Sequence, residues 1–319
     1  MRRPRVLVTS GDPGGVGPEL ILRALADPEV GGLAEFTVVG GPAGFRGDAE
    51  ALGLPMPSIL PVSGLPGTPV GRPSAEGARA AVEAVRTAAR LMAERSAGAL
   101  VTAPVSKEAL RLGGYPWQGQ TEMLADLCAA RDLRVLLMAG PLRVVHVTAH
   151  RSLRDAIEAV TTASVLRTVE LADDIGLRLL GRRPRIAVAG LNPHAGEHGI
   201  LGDEDESAIR PAVADARSRG INATGPLSAD TLFPRAAAGE TDVVIAMYHD
   251  QGHIPVKLLG PDEGVAVTLG LPFLRMSPDH GAAFDIAGKG TARAGSMKAA
   301  MRAAAGAAGR GLLDADGAR

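Results

Sequence analysis

Cysteine, aromatic residues and lysine are all scarce in this sequence of 319 residues. The single cysteine, Cys128, excludes an internal disulfide bond and any zinc site built on paired thiolates. Its apolar neighbours Leu127 and Ala129 indicate a buried helix face rather than a nucleophile. Any metal ion therefore has to be bound by histidine or carboxylate side chains.

An excess of charge of one sign and long apolar runs are missing as well. The chain has 34 Lys and Arg against 35 Asp and Glu, which gives a net charge of −1 and no basic surface for a nucleic-acid backbone. No apolar run approaches the roughly 20 residues of a membrane span, and the N-terminus reads as a strand rather than a signal peptide. We expect a cytoplasmic protein that binds neither nucleic acid nor membrane.

Short apolar strands alternate with helical segments along the chain. Strands are predicted at 5–10, 36–41, 99–103, 134–139, 143–148, 185–190, 242–247 and 265–269. Helices are predicted at 18–26, 74–95 with Ser74 as N-cap, 106–112, 120–130, 153–180, 203–219 and 292–308. This alternation predicts a doubly wound α/β/α fold, with ligands at the carboxyl ends of the strands. A length above about 250–300 residues favours two lobes.

A glycine-rich segment, Gly11 to Glu19, connects the first predicted strand to the first helix. Its spacing fits neither the phosphate-binding P-loop nor the dinucleotide fingerprint. Two interpretations stay open at this point: a tight strand–helix turn that needs glycine for its backbone, and a loop that contacts a ligand.

Seven histidines include three pairs with a spacing of four residues. His146 and His150 lie along a strand-like run, and proline and glycine keep His194 and His198 from being helical. The pairs therefore do not predict three separate chelates. One histidine from each segment directly follows a predicted strand: His150, His194 and His249. Three imidazoles at the ligand edge of a sheet predict a catalytic site for a divalent metal ion.

Several long polar strings resemble the 4-hydroxythreonine-4-phosphate dehydrogenase family of vitamin B6 synthesis. The strings are Gly11–Glu19, Ala103-Pro-Val-Ser-Lys107, Asn192-Pro-His-Ala-Gly-Glu197, Met247-Tyr-His-Asp-Gln-Gly252, Thr268-Leu-Gly-Leu-Pro272 with Arg275, Asp279-His-Gly281 and Phe284–Gly290. They occur in the family's order over nearly the whole chain.

The resemblance implies a homodimer that oxidises a secondary alcohol with NAD or NADP and one divalent ion, which could be Zn, Mg, Mn or Co. It also implies a two-lobed fold similar to isocitrate and isopropylmalate dehydrogenases. We expect a nucleotide-binding lobe formed by 1–103 and 250–319, a dimerisation and metal/substrate lobe formed by 104–249, and an active site in the cleft between them. The implied product is a 3-oxo acid that decarboxylates.

Residue by residue, the family's three metal ligands fall on His150, His194 and His249, with His150 shared across the dimer interface. The family's substrate positions fall on Gln120, Thr121, Lys257, Ala266 and Arg275. The cofactor positions fall on His280, Gly281, Asp285 and Ile286, with Asp285 as the carboxylate for a ribose or, alternatively, as a helix cap. Asp230 and Lys107 are candidates for proton transfer, and either could instead be a helix cap or an ion-pair partner.

Two positions depart from the family's usual pattern. Gln120 stands where the family usually has His, and Ala266 stands where it usually has Asn. Both changes remove hydrogen-bonding capacity from the implied substrate pocket. Three functions stay open: oxidation of 4-phosphooxy-threonine; oxidation of another acid, such as a phosphorylated threonate or a cyclic diol dicarboxylate; and binding without turnover. The retained His150, His194, His249 and Lys257 argue against the last of these.

Overall fold

The computed structural model describes residues 3–62 and 68–310. The chain separates into two compact units: the residues up to Leu133 together with those from Leu271 onward, and Arg134–Gly270. These boundaries lie at 133/134 and 270/271, where the sequence led us to expect 103/104 and 249/250. The roles of the two units stay predictions.

The first unit contains a parallel sheet whose strands share continuous apolar sequences. Its strands are β1 (Arg5–Thr9), β2 (Glu35–Gly40), β3 (Ile59–Pro61), β4 (Ala99–Thr102) and β11 (Arg275–Pro278). Its helices are α1 (Gly17–Ala26), α2 (Pro28–Gly31), α3 (Ala43–Leu52), α4 (Ala75–Ala93), α5 (Lys107–Leu112), α6 (Gln120–Leu127) and α12 (Gly295–Ala308). The strand order is β3-β2-β1-β4-β11, and every neighbouring pair is parallel.

Helices cover both faces of this sheet. Successive side chains of a strand point to opposite faces, and Leu7 packs into a core with α4, α5 and α6. Its neighbours Val6 and Val8 are fully buried as well, on the face where α12 contacts β1, β4 and β11. The predicted doubly wound α/β arrangement is confirmed in this unit, and so is Ser74 as the N-cap of α4, since its Oγ accepts from the Gly77 N–H at 3.0 Å.

The second unit contains a mixed sheet. Its strands are β5 (Arg134–Ala139), β6 (Leu142–His146), β7 (Ile186–Ala189), β8 (Ala223–Leu227), β9 (Val243–Ala246) and β10 (Val265–Leu269). Its helices are α7 (Leu153–Ala159), α8 (Thr162–Leu180), α9 (Arg210–Ser218), α10 (Ala229–Ala237) and α11 (His249–Leu259). The strand order is β10-β5-β6-β9-β7-β8. Strands β6, β9, β7 and β8 run parallel, whereas β10-β5 and β5-β6 are antiparallel.

Several predicted elements differ from the structure in their bounds or their continuity. The helix expected over 153–180 is wrong as one element, because Thr161 and Ser164 cap each other and start a new helix after an extended Val160. The helix expected over 203–219 begins with a π turn at Asp205–Ile209 before α9. Strand β6 ends at His146 rather than 148. No helix within the two described ranges combines the length and apolarity needed to cross a bilayer.

Candidate functional site

Three adjacent parallel strands of the second unit lead to the three histidines selected from the sequence. Strands β6, β9 and β7 pair side by side and in parallel, so their carboxyl ends lie at one edge of the sheet. His150 follows β6, His249 follows β9 and His194 follows β7. The topology therefore carries all three imidazoles to the edge where α/β proteins bind their ligands.

Two of these imidazoles lie close together. The ring centroids of His150 and His249 are 5.6 Å apart, and both residues line an open cleft of about 360 Å³ together with Thr148, Arg151, Tyr248 and Asp250. His249 is the first residue of α11, and its Nδ1 lies 2.7 Å from Asp250 Oδ1. When Nδ1 donates to that carboxylate, Nε2 is left with the lone pair that a metal ion requires.

Two further histidines, which the sequence reasoning did not select, stand behind His249. The ring of His253 stacks on that of His249 with centroids 3.6 Å apart, and its Nδ1 lies 3.1 Å from Nε2 of the buried His146. Burial, reinforced by the neighbouring imidazoles of His253 and His249, lowers the pKa of His146 to about 3, so His146 is neutral at physiological pH. The spacing of four between His249 and His253, once α11 is recognised as a helix, is the signal that could have found this cluster.

His194 lies in a turn of unusual backbone conformation. Six successive residues, 194–199, have positive φ, and four of them are not glycine: His194, Ala195, Glu197 and His198. Each such residue costs on the order of 1–2 kcal/mol, so the surrounding structure has to hold the turn. The sequence-based expectation that this segment is not an α-helix is confirmed, although the left-handed conformation was not foreseen.

The buried carboxylate of Asp205 holds the backbone that leads into this turn. Asp205 is fully buried, and its two oxygens accept the backbone N–H groups of Leu191 at 2.9 Å and Asn192 at 3.0 Å and the Asn192 side-chain amide at 3.0 Å. The same amide also donates to Glu204 at 2.8 Å. The π turn that begins at Asp205 places this carboxylate beneath the segment that leads into His194.

Within residues 3–62 and 68–310, no three His, Cys, Asp or Glu side chains of one chain are grouped so that they could hold a metal ion together. The donor set nevertheless suits a divalent ion: His150 and His194 are exposed, His249 is half-buried, and Asp250 leaves Nε2 of His249 available. By their chemistry these three side chains fit a divalent ion.

The two candidates for proton transfer differ in their surroundings. Asp230 lies in the first turn of α10, where Oδ1 accepts from Ser228 Oγ at 2.5 Å and from the Thr231 N–H at 2.9 Å. The Ser228 hydrogen bond, aided by the Thr231 N–H and by the charge of His194, lowers the pKa of Asp230. Lys107 is the exposed first residue of α5, which Ser106 caps. Asp230 thus accepts hydrogen bonds within the first turn of α10, whose N-cap is Ser228, and interacts electrostatically with the candidate metal ligand His194.

Gln120 and Arg275 are buried polar side chains of the first unit. Gln120 Nε2 donates to the Ala103 carbonyl at 2.8 Å, and its Oε1 is buried without a hydrogen-bond partner among the described residues. Arg275 donates from Nε and Nη2 to Thr102 Oγ1 at 3.0 and 2.7 Å. Burial lowers the pKa of Arg275 to about 10, so it remains a cation at neutral pH. Thr121 follows Gln120 in the first turn of α6 and is half-buried.

The other two substrate candidates lie in the second unit. Lys257 is exposed in the last turn of α11, eight residues after His249, which corresponds to about 12 Å along the helix axis. Ala266 is half-buried in β10 and packs against an apolar core that includes Leu137 and Val256.

The four cofactor candidates lie in one loop of the first unit. His280 and Gly281 are exposed, and His280 Nδ1 lies 3.1 Å from the Gly281 carbonyl oxygen. Asp285 is exposed within the 3-10 turn Phe284–Ile286, which has Ala283 at its N-cap position and no side-chain cap. Asp285 therefore caps no helix, which leaves its carboxylate available for a ligand.

The glycine-rich segment after β1 is a tightly packed turn. Gly11 has φ of +70°, and a Cβ at Gly14 or Gly15 would lie 2.6 Å from the Pro69 carbonyl oxygen or 2.7 Å from that of Ala282. Gly71 N–H donates to the Gly14 carbonyl, and Val16 N–H donates to Ala282. Of the two interpretations left open by the sequence, the structure favours the turn that needs glycine for backbone contact.

Comparison with known proteins identifies the family of this chain. The family model described as "Pyridoxal phosphate biosynthetic protein PdxA" matches residues 45–304. This chain belongs to the PdxA family. The resemblance stated from the sequence motifs is thereby confirmed.

PdxA-family relatives cover nearly the whole chain. A 4-hydroxythreonine-4-phosphate dehydrogenase from Geobacter metallireducens is 46% identical over 322 residues, covering 95% of each protein. A D-threonate 4-phosphate dehydrogenase from Salmonella typhimurium is 40% identical over 324 residues, covering 95% of this chain and 99% of that protein. A crystal structure of a 4-hydroxythreonine-4-phosphate dehydrogenase from Burkholderia phymatum, 40% identical, superposes with a TM-score of 0.87 over 96% of this chain and 99% of that one.

Proposed function

We propose that this chain is a metal-dependent, NAD- or NADP-linked dehydrogenase that oxidises the 3-hydroxyl of 4-phosphooxy-threonine to a 3-oxo acid, which then loses CO₂. The observation that carries this proposal is the arrival of His150, His194 and His249 at the carboxyl ends of three adjacent parallel strands. Membership of the PdxA family and the dehydrogenase relatives support the same reaction class.

His150, His194 and His249 would hold one divalent ion, which could be Zn, Mg, Mn or Co. When bound, the ion would stabilise negative charge on the substrate oxygen, and the nicotinamide ring would take the hydride. Asp250 fixes the ring of His249 through Nδ1 at 2.7 Å. Asp205 holds the strained turn that carries His194. The chain thus positions two of its proposed ligands with carboxylates that are not ligands themselves.

A base has to take the proton of the substrate hydroxyl. Asp230 is the stronger candidate, because a carboxylate is already ionised at neutral pH and because it interacts electrostatically with His194. Lys107 is the second candidate. Its side chain is exposed at the start of α5.

The anionic ends of the substrate require cations. Arg275 is a buried guanidinium that stays charged at neutral pH, and Lys257 extends from the last turn of α11. In our proposal these two side chains bind the phosphate and the carboxylate, with Gln120 and Thr121 contributing polar contacts. Asp285 would accept hydrogen bonds from the ribose hydroxyls of the dinucleotide, and His280, Gly281 and Ile286 lie in the same loop.

We further propose a homodimer in which His150 is contributed across the interface. The absence of a complete metal-binding group within the described residues of one chain is consistent with this arrangement. Mixing inactive His150→Ala and Lys257→Ala proteins should restore part of the activity, since one heterodimer site would be intact. No recovery despite demonstrated subunit exchange would show that each site is built from one chain. The cytoplasmic location stays a prediction from the sequence.

A second candidate substrate is D-threonate 4-phosphate. The Salmonella relative that acts on it by name is 40% identical to this chain. The observation that favours it is that two of the implied substrate positions depart from the family's usual residues: Gln120, whose buried Oε1 lacks a partner among the described residues, and the apolar Ala266. A pocket with altered polar groups is expected to prefer a different acid.

A panel of hydroxy acids assayed for reduced nicotinamide formation tests the proposal. The panel contains 4-phosphooxy-threonine, D-threonate 4-phosphate, their unphosphorylated forms and a cyclic diol dicarboxylate, each with NAD or NADP and each divalent metal. Metal-dependent turnover of a phosphorylated acid supports the proposal. Tight binding of substrate and dinucleotide without turnover under any condition would indicate a binding protein instead.

A further inference from the structure

We infer that Glu19 and Arg23 are positioning residues for the dinucleotide, because together they fasten the loop that carries Asp285. This inference rests on the proposed cofactor role of residues 280–286. It gives a function to Glu19, the last residue of the glycine-rich segment. The proposed reaction itself uses no residue of that segment.

Glu19 is a carboxylate buried inside the first unit. It is fully buried in α1, and its Oε1 accepts from the Ala292 N–H at 3.0 Å and from Arg23 Nε at 2.8 Å. Its second oxygen, Oε2, is buried with no hydrogen-bond partner among the described residues. A buried carboxylate oxygen without a hydrogen-bond partner calls for an explanation, and the contacts of the other oxygen supply one.

Arg23 continues the connection to the same loop. Its Nη2 donates to the Gly290 carbonyl at 2.6 Å while its Nε holds Glu19. Helix α1 therefore binds two backbone groups, the Gly290 carbonyl and the Ala292 N–H, through the Glu19–Arg23 ion pair. These two groups lie at the end of the loop that begins at His280.

The start of the loop is held by the same segment of chain. Val16 N–H donates to the Ala282 carbonyl at 2.9 Å, and the backbone of Gly15 lies so close that a Cβ there would be 2.7 Å from the same oxygen. Hydrogen bonds with residues 15–23 thus hold the loop on both sides of Asp285. Asp285 itself is exposed in the turn between these two anchors.

A loop that is held at both ends is already ordered before the ligand binds. Binding therefore costs less conformational entropy. Releasing one anchor should therefore weaken binding of the adenosine half of the dinucleotide and leave the hydride-transfer step unchanged. That pattern separates a positioning role from a general effect on the fold.

The test measures binding of ADP-ribose, NAD and NADP to the full-length protein by calorimetry, with KM and kcat for the dinucleotide. The variants are Arg23→Met and Glu19→Gln. The control is Lys298→Met, which removes a cation of the same 32% side-chain exposure that pairs with Asp27 at 2.7 Å and touches neither anchor of the loop. We expect Kd for ADP-ribose and KM for the dinucleotide to rise about three- to tenfold in Arg23→Met, with kcat unchanged.

We expect the control Lys298→Met to bind ADP-ribose with the affinity of the wild type. Unchanged ADP-ribose binding in Arg23→Met, or a fall in kcat with KM constant, would overturn the positioning role while leaving the proposed dehydrogenase intact. If Glu19→Gln fails to fold, Arg23→Met decides alone, because its side chain is partly exposed. Failure of the wild-type protein to bind ADP-ribose, NAD or NADP would overturn both this inference and the proposed cofactor.

Discussion

The carboxylate of Asp250 lies 2.7 Å from Nδ1 of His249, on the side of the ring away from Nε2. A carboxylate in this position fixes the tautomer of a ligating imidazole and raises its basicity. We predict that Asp250→Ala lowers the affinity for a divalent ion about 10- to 100-fold. The measurement is a titration with Co²⁺, with thermal unfolding to show that the protein remains folded. Unaltered affinity would exclude Asp250 from supporting the metal site.

Asp12 predicts a specific pH dependence of stability. Burial raises its pKa from 3.8 to about 6, partly offset by the Gly14 N–H, which donates to Oδ1 at 3.0 Å. The folded state therefore binds the proton of Asp12 more tightly than the unfolded state. Its contribution to stability is complete below about pH 3.8 and is lost as pH rises through 6.

Asp12→Asn should therefore be more stable than the wild type at pH 8, by about 1–3 kcal/mol, and no more stable at pH 4. Urea unfolding at the two pH values measures this difference. The exposed Asp126→Asn, which also removes one carboxylate, should not reproduce it. A gain that is equal at both pH values would show that the effect does not arise from ionisation of Asp12.

Restoring the family's usual residues tests the substrate pocket. Gln120→His and Ala266→Asn should each raise kcat/KM for 4-phosphooxy-threonine about two- to tenfold, which corresponds to one regained hydrogen bond. If D-threonate 4-phosphate is the natural substrate, the same variants should lose activity on it. Indifference of both activities to both substitutions would remove Gln120 and Ala266 from any role in specificity.

The alternation of strands and helices was predictable, because buried parallel strands have continuous apolar sequences such as Ala99–Thr102. Helix α11 was not predicted, since it contains Gly252 and Pro255, which both disfavour helix. Tertiary packing explains the glycine: a Cβ at Gly252 would lie 2.3 Å from Nε2 of His146. The close approach of α11 to β6 therefore requires glycine at position 252. The same glycine disfavours helix and is one reason that α11 was not predicted.

The positions of His150, His194 and His249 could be predicted because each lies shortly after the end of a strand, and strand order then brings them to one edge. The cluster of His146 and His253 behind His249 could not, because it depends on α11. The support of Asp205 beneath the His194 turn depends on a left-handed backbone and a π turn, which sequence periodicity does not reveal. Contacts of this kind form between segments that are distant in sequence.

The central claim is a histidine-bound divalent ion that is required for turnover. The most direct measurement compares His194→Ala with His198→Ala, since both histidines lie in the same left-handed turn and both side chains are exposed. Bound metal is quantified by elemental analysis after chelation and reloading, alongside reduced nicotinamide formation from the preferred phosphorylated acid. We predict that His194→Ala loses both metal and turnover while remaining folded, whereas His198→Ala keeps both. Full metal content and activity in His194→Ala would contradict the three-histidine site.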